Sequence, residues 1–267
     1  MKIVILAQEE PVYFGPFFNR LIKALGNDVA LVALAGSRGA GNHPKSFKEK
    51  LENLYLLWLL LEPAGFVKSL AINLGQKFLQ ITGLTGSLLD VRSIEGAAKR
   101  LDIPVTQISN ANSDDFLKEL TKLAPDLIIN QTELLLKEPI LSIPKIGILN
   151  RHGSLLPHFR GRLASFWSHF NQPPEYGVTI HLVNEKIDSG PIIVQKRLEI
   201  NPASSYSEVL EKVFDESFEL MLDAINQISD AAFTPSINHY QGTPLYKFPT
   251  LAKVEEYRKI LKQRRQV

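Results

Sequence analysis

With 267 residues, 45% hydrophobic and 22% charged, the chain is long enough to bury a sizeable core, as one large domain or two small ones. A net charge of +2 leaves no electrostatic footprint for nucleic acid, and the lack of cysteine excludes disulfides, thiolate catalysis and cysteine-ligated zinc or iron–sulfur centres. The opening MKIVILA is too soon followed by Glu9 and Glu10 for a secretory leader, and no window supplies ~18 uncharged apolar residues for a spanning helix, so a cytoplasmic protein is expected.

In chain order, residues 2–7 read as a buried strand, and Pro11 opens a helix that runs to Leu25 and is closed by Gly26. A second apolar strand, 28–35, ends in a glycine-rich turn cluster at 36–41. Helical patterns at 91–101 and 113–123 precede short buried strands at 103–108 and 127–130, and 145–150 is the next strand. Such alternation predicts an α/β three-layer sandwich around a mostly parallel sheet. Residues 176–183 and 191–200 are joined too tightly for a helical crossover and predict an antiparallel ribbon. Ser205 and Glu208 form a capping box ahead of a helix with the stripe Val209, Val213, Phe214, Phe218, Leu222 and Ile225. A basic helix from Leu251 to about Arg265 closes the chain, giving a domain at 1–230 and a tail at 231–267.

Residues 45–89 form an insertion between strands. Leu54 to Leu61 are apolar on every side of a helix; Pro63 and Gly65 break it; 66–79 give a second helical pattern carrying Lys68 and Lys77. A helical hairpin buried against the domain or a dimer partner is expected. The alternative is a peripheral membrane contact, or a seat for a lipid-linked acceptor, because all-round apolarity needs burial somewhere.

The segment 148–161, ILNRHGSLLPHFRG, carries the chemistry. Alternation points Asn150 and His152 to one side of a strand. Asp188 follows 36 residues after His152, in a turn closed by Gly190 between two strands. An amide donor, an imidazole and a carboxylate are the parts that steady an oxyanion and move a proton. Ser154 reads as a loop hydrogen-bonder, since no G-x-S-x-G elbow surrounds it. Gly161 precedes a helical stretch at 163–170, and Arg160 and Arg162 flank it, a place where an anionic acceptor group can be held. His181 reads as strand packing; His43, His158, His169 and His239 lack ligand spacing, so no metal is expected. The first strand lacks the G-x-G-x-x-G turn of a dinucleotide site.

The composite N-x-H-x-S-L-L-P-x-x-x-G, G-V-T-I-H and I-D-S-G-P-I-I, within residues 125–199, resembles the formyltransferases that use 10-formyltetrahydrofolate. This family includes methionyl-tRNA, glycinamide ribonucleotide and aminosugar formyltransferases. The resemblance implies a Rossmann-like formyltransferase fold, 10-formyltetrahydrofolate as formyl donor, and catalytic roles for Asn150, His152 and Asp188. It implies pterin recognition by the backbone of two loops, 131–136 with Leu134 and Leu136, and 184–187 with Asn184, Glu185 and Ile187. Many members carry glycine where this chain has Gln131. Ser154, Arg160, Gly161 and Arg162 are the expected acceptor contacts. Methionyl-tRNA formyltransferases carry an additional C-terminal domain, for which the 67 residues after Ile200 leave little room. A small amine acceptor, an amino sugar first, is therefore expected, with methionyl-tRNA or glycinamide ribonucleotide as alternatives. A hydrolase built on Ser154, His152 and Asp188, and a non-catalytic relative that binds a membrane or partner, are the competing readings.

Overall fold

The computed structural model describes residues 1–36, 46–85, 87 and 90–266. The glycine cluster expected at 36–41 lies outside them from residue 37 on, as do His43 and parts of both ends of the 45–89 insertion. In chain order the elements are β1 Ile3–Gln8, α1 Phe14–Leu25, β2 Val29–Ala35, α2 Phe47–Ile81, α3 Ile94–Lys99, β3 Val105–Ile108, α4 Asp114–Leu123, β4 Leu127–Gln131, β5 Gly147–His152, β6 Arg160–Gly161, α5 Ala164–Phe170, β7 Tyr176–Leu182, β8 Ile192–Leu198, α6 Tyr206–Ile228, β9 Leu245–Tyr246 and α7 Leu251–Arg264.

Seven strands share one sheet in the order β3-β2-β1-β4-β5-β7-β8. The first five run parallel; β7 is antiparallel to β5, and β8 to β7. The expected α/β sandwich with its antiparallel ribbon is the observed architecture. Because β1 is covered on both sides, its run from Ile3 to Ala7 is apolar without alternation and wholly buried. Ile3 and Ile5 face a core shared with α1, α3 and α6, whereas Val4 and Leu6 face a second core with Phe116 and Leu120 of α4. The chain reverses direction across the sheet at β1, whose neighbours are β2 and β4. Such a switch point opens a crevice at the carboxyl ends of the strands, where β4 and β5 end.

Two differences from the sequence reading have local causes. Helix α1 starts at Phe14 rather than Pro11, because the Glu10 carboxylate accepts the N–H groups of Val12, Tyr13 and Phe14 and holds a turn there. The insertion is not a hairpin with a loop: α2 is two helical segments meeting at one non-helical residue, Glu62 (φ 60°, ψ 163°), directly before Pro63. Within the single chain its burial is one-sided. Leu56 and Leu60 enter the core, but Leu51, Leu54, Val67, Leu74 and Phe78 are each half exposed or more. By length and mean hydropathy α2 is apolar enough to cross a bilayer, although Glu62, Lys68 and Lys77 leave it without an uncharged run of 18 residues.

The residues beyond 230 pack on the same core. Val254, Tyr257 and Leu261 of α7 lie within the cluster that holds β1 and α6. The short strand β9 pairs in parallel with β6, beside the carboxyl end of β5.

Candidate active site

Strand β5 places Asn150 and His152 on one face, and the antiparallel β7 sets His181 opposite Asn150 and Thr179 opposite His152. The loop after β7 returns Asp188 to these residues. Its carboxylate lies between two imidazoles, with Oδ2 3.6 Å from His152 Nδ1 and Oδ1 3.7 Å from His181 Nε2. Asn150 Nδ2 lies 3.3 Å from His181 Nε2. Four polar groups from three chain segments thus converge at the end of β5. His152 and His181 are buried, and Asp188 is nearly so.

Hydrogen bonds fix the ring tautomers, because a carbonyl can only accept. His152 donates its Nε2–H to the Phe159 carbonyl (3.1 Å), and His181 donates its Nδ1–H to the Leu182 carbonyl (2.8 Å). Burial pushes His181 down to about 4, although the Asp188 carboxylate pulls the other way, so the ring is neutral near pH 7. Its Nε2 lone pair then accepts from the Asn150 amide and fixes which way that amide points. The second N–H of Asn150 meets no acceptor in the described hydrogen bonds. His152 Nδ1 faces the carboxylate at 3.6 Å.

The position of Asp188 is over-determined. Its φ of 47° is left-handed, uncommon for a residue other than glycine. The Gly161 N–H donates to its Oδ2 (2.7 Å), and Asn238 Nδ2 donates to its carbonyl and to that of Gly190 (both 3.1 Å). Asn184 Oδ1 accepts from the Lys186 N–H and the Ser189 hydroxyl, closing the loop on itself. The Arg160 guanidinium donates from Nε and Nη2 to the Ile187 carbonyl (3.1 and 2.6 Å) and stacks on Tyr240 at 4.7 Å. Arg160 therefore holds the Asp188 loop. Arg162 pairs at the surface with Glu133 (2.6 Å), so both arginines expected to flank an anion have protein partners. Helix α5 has only seven residues and follows Leu163 in a left-handed conformation.

The Ser154 hydroxyl is buried and donates to the His158 carbonyl (3.3 Å), while its own carbonyl accepts from Thr179 (2.7 Å). No described contact joins it to His152. Gly161 has φ +102°, and a Cβ there would sit 2.2 Å from the Tyr246 carbonyl oxygen, so the β6–β9 contact requires glycine.

The two expected pterin loops flank this cluster. In the first, Asn130 Oδ1 accepts from the N–H and hydroxyl of Thr132, and Thr132 Oγ1 accepts the Leu134 N–H. Asn112 clamps its far end through the Leu135 carbonyl and the Lys137 N–H. Leu136 is buried in the second core and Leu134 packs against it. In the second loop Asn184, Glu185 and Ile187 are exposed. At the unexpected Gln131, Oε1 accepts from Arg151 Nε (3.1 Å), which ties the ends of β4 and β5 together. Arg151 points to the opposite face from its neighbours, over the Phe214 ring at 4.0 Å, and burial pushes its guanidinium down to about 10. Among the described residues there is no group of three or more acidic, histidine or cysteine side chains placed to hold a metal.

Sequence reasoning missed His181 and Asn238. The G-V-T-I-H spacing was the available signal for His181, since the histidine ends the strand that must pair with β5. No local pattern marks Asn238.

Residues 91–225 match the model of the family described as formyl transferase. The methionyl-tRNA formyltransferase of Thermodesulfovibrio yellowstonii is 33% identical over 152 residues, which are 56% of this chain and 49% of that protein. The chain thus spans about half the length of the curated relatives it matches. Among solved structures, phosphoribosylglycinamide formyltransferase from Bacillus halodurans aligns with a TM-score of 0.57 at 17% identity, covering 87% of this chain and 97% of that one. A sugar N-formyltransferase from a Shewanella species aligns with a TM-score of 0.57 at 16% identity, covering 97% and 87%. At such identities the likeness concerns the fold.

Proposed function

The chain belongs to the formyl transferase family, and from that premise we propose that it transfers a formyl group from 10-formyltetrahydrofolate to a primary amine of a small acceptor, an amino sugar. The observation that carries this reading is the convergence of Asn150, His152, His181 and Asp188 at the end of β5. Attack by the amine on the donor's formyl carbon places negative charge on the formyl oxygen; collapse of that intermediate breaks the bond to N10 of tetrahydrofolate, and the proton given up by the amine is returned to the departing nitrogen. Asn150, oriented by neutral His181, presents an amide N–H to that oxygen. His152 and Asp188, 3.6 Å apart, supply the place for the amine proton. No side chain in the cluster needs to act as a nucleophile, and the buried, carbonyl-bonded Ser154 argues against a hydrolase.

The residues present suit the donor: the clamped loop 132–136 and the exposed loop 184–187 lie on either side of the cluster and offer backbone groups. We assign the transferase unit to residues 1–230, with the 231–267 tail packed on it, and its setting to the cytoplasm. The small charge excess supports a small acceptor over an RNA. The identity to methionyl-tRNA formyltransferases supports methionyl-tRNA as the second reading.

The test is release of tetrahydrofolate from 10-formyltetrahydrofolate with three acceptor classes: nucleotide-linked amino sugars, glycinamide ribonucleotide and methionyl-tRNA. Amino-sugar turnover is expected, falling ~10²–10³-fold in Asn150→Ala. Wild-type rates in both Asn150→Ala and His152→Ala would refute the mechanism; turnover of methionyl-tRNA alone would replace the acceptor.

A further inference from the structure

We propose that α2 is an interfacial helix that seats the protein on an anionic lipid bilayer. This inference is independent of the formyl-transfer reading. Each segment of α2 shows the protein one side and solvent an apolar stripe. In the first, Leu56 and Leu60 are buried, while Leu51, Leu54, Tyr55 and Trp58, at i, i+3, i+4 and i+7, are 38–51% exposed. In the second, Gln76 is buried and donates to Asp90 (2.6 Å), while Val67, Leu70, Leu74, Phe78 and Ile81 are 48–86% exposed. At about 100° per residue this second stripe lies opposite Gln76. Trp58 packs edge-on against Phe66 (5.4 Å), so aromatic contact bridges the kink between the segments.

Charge identifies the occupant. No Asp or Glu occurs from Pro63 to residue 89, and the charged residues there are Lys68 and Lys77. Lys77 lies on one flank of the second stripe, where a long basic side chain reaches headgroups while the stripe enters the acyl boundary; Lys68, on the other flank, is held by Glu211. The basic helix α7 abuts the kink: Arg258 and Arg265 pair with Glu62 (both 2.7 Å), and Lys259 and Lys262 are exposed beside them. A twofold pairing of two copies would set this basic face against itself, whereas an anionic surface complements it. The helix lies on the bilayer rather than through it. Lys68 is paired with Glu211 (2.5 Å), Ser207 donates to the Leu61 carbonyl (3.1 Å), and Gln76 is buried, so contacts with the protein run along its length. The second segment offers roughly 28 Å of contact.

The test is flotation of the full chain with vesicles of phosphatidylcholine, with and without phosphatidylglycerol, beside a Leu70→Glu/Leu74→Glu variant. Both positions are solvent-facing, so the variant should keep its far-ultraviolet circular dichroism and melting temperature. Binding to the anionic vesicles is expected, at least roughly tenfold weaker in the variant and in phosphatidylcholine alone. No binding to either vesicle would overturn the proposal. So would a dimer in sedimentation that the double substitution dissolves while vesicles capture neither form. Equal binding to neutral and anionic vesicles would overturn the anionic assignment.

Discussion

Asn238 lies 13 residues beyond the family match, yet its amide is bonded to both ends of the Asp188–Gly190 turn. Replacing it by alanine removes two hydrogen bonds of 3.1 Å from a side chain that is only 5% exposed. At about 1 kcal/mol net each, the direct loss is about 2 kcal/mol. Asn238 Oδ1 is itself buried without a hydrogen-bond partner among the described residues, so deleting it returns up to about half of that, and stability should fall by about 1–2 kcal/mol. For a chain of this size that is a drop of roughly 2–8 °C in Tm. The larger effect should be kinetic. With its carbonyl released, Asp188 keeps one direct hydrogen bond, from the Gly161 N–H, beside the Arg160 and Asn184 bonds within its loop, and a shift near 1 Å costs up to ~10²-fold in kcat. The assay pairs thermal melting with steady-state formyl transfer in Asn238→Ala and Asn238→Asp. The aspartate variant keeps shape and volume but loses the donor, so it should be no better than alanine. Wild-type stability and kcat in Asn238→Asp would refute the reasoning, by assigning the residue to packing alone.

Gly190→Ala would put a Cβ 1.8 Å from the Leu182 carbonyl oxygen, so the turn must move. Its stability should fall by more than about 3 kcal/mol in urea unfolding, and a loss under 1 kcal/mol would show the clash relieved cheaply. Arg160→Lys loses the two-pronged donation to Ile187 and the stack on Tyr240. It should lower kcat about tenfold and Tm by a few degrees, and an unchanged kcat would remove Arg160 from the support of the loop. Burial holds both His169 and His181 down to about 4, below their ordinary 6.5. The unfolded chain therefore takes up these protons first as pH falls. Stability should be level above pH 6.5 and decline between 6.5 and 4, by up to about 3 kcal/mol for each histidine. His169→Gln should remove about half of that slope, and an unaltered slope would refute the assignment.

The sheet was legible because buried parallel strands are apolar runs punctuated by helices, and their bounds shift by only a residue or two. The first two groups of the site were legible for a similar reason, since Asn150 and His152 are neighbours under strand alternation. His181 was read as packing because its role depends on register: only the pairing of β7 with β5 sets it opposite Asn150. Arg160 was assigned to an anion because the sequence shows its charge but not the Ile187 carbonyl that receives it. The break in α2 was placed correctly beside Pro63, but its form was not. A single residue before proline can take a left-handed φ and continue the chain into a second helix without a loop.

The packing of α7 changes how the unit should be cut. Ending a fragment at residue 225, where the family match stops, would strip the wholly buried Tyr257 and Val254 from the core and the strap from the Asp188 turn. Grafting or minimising this scaffold therefore has to carry its last helix along, as a keystone rather than an appendage.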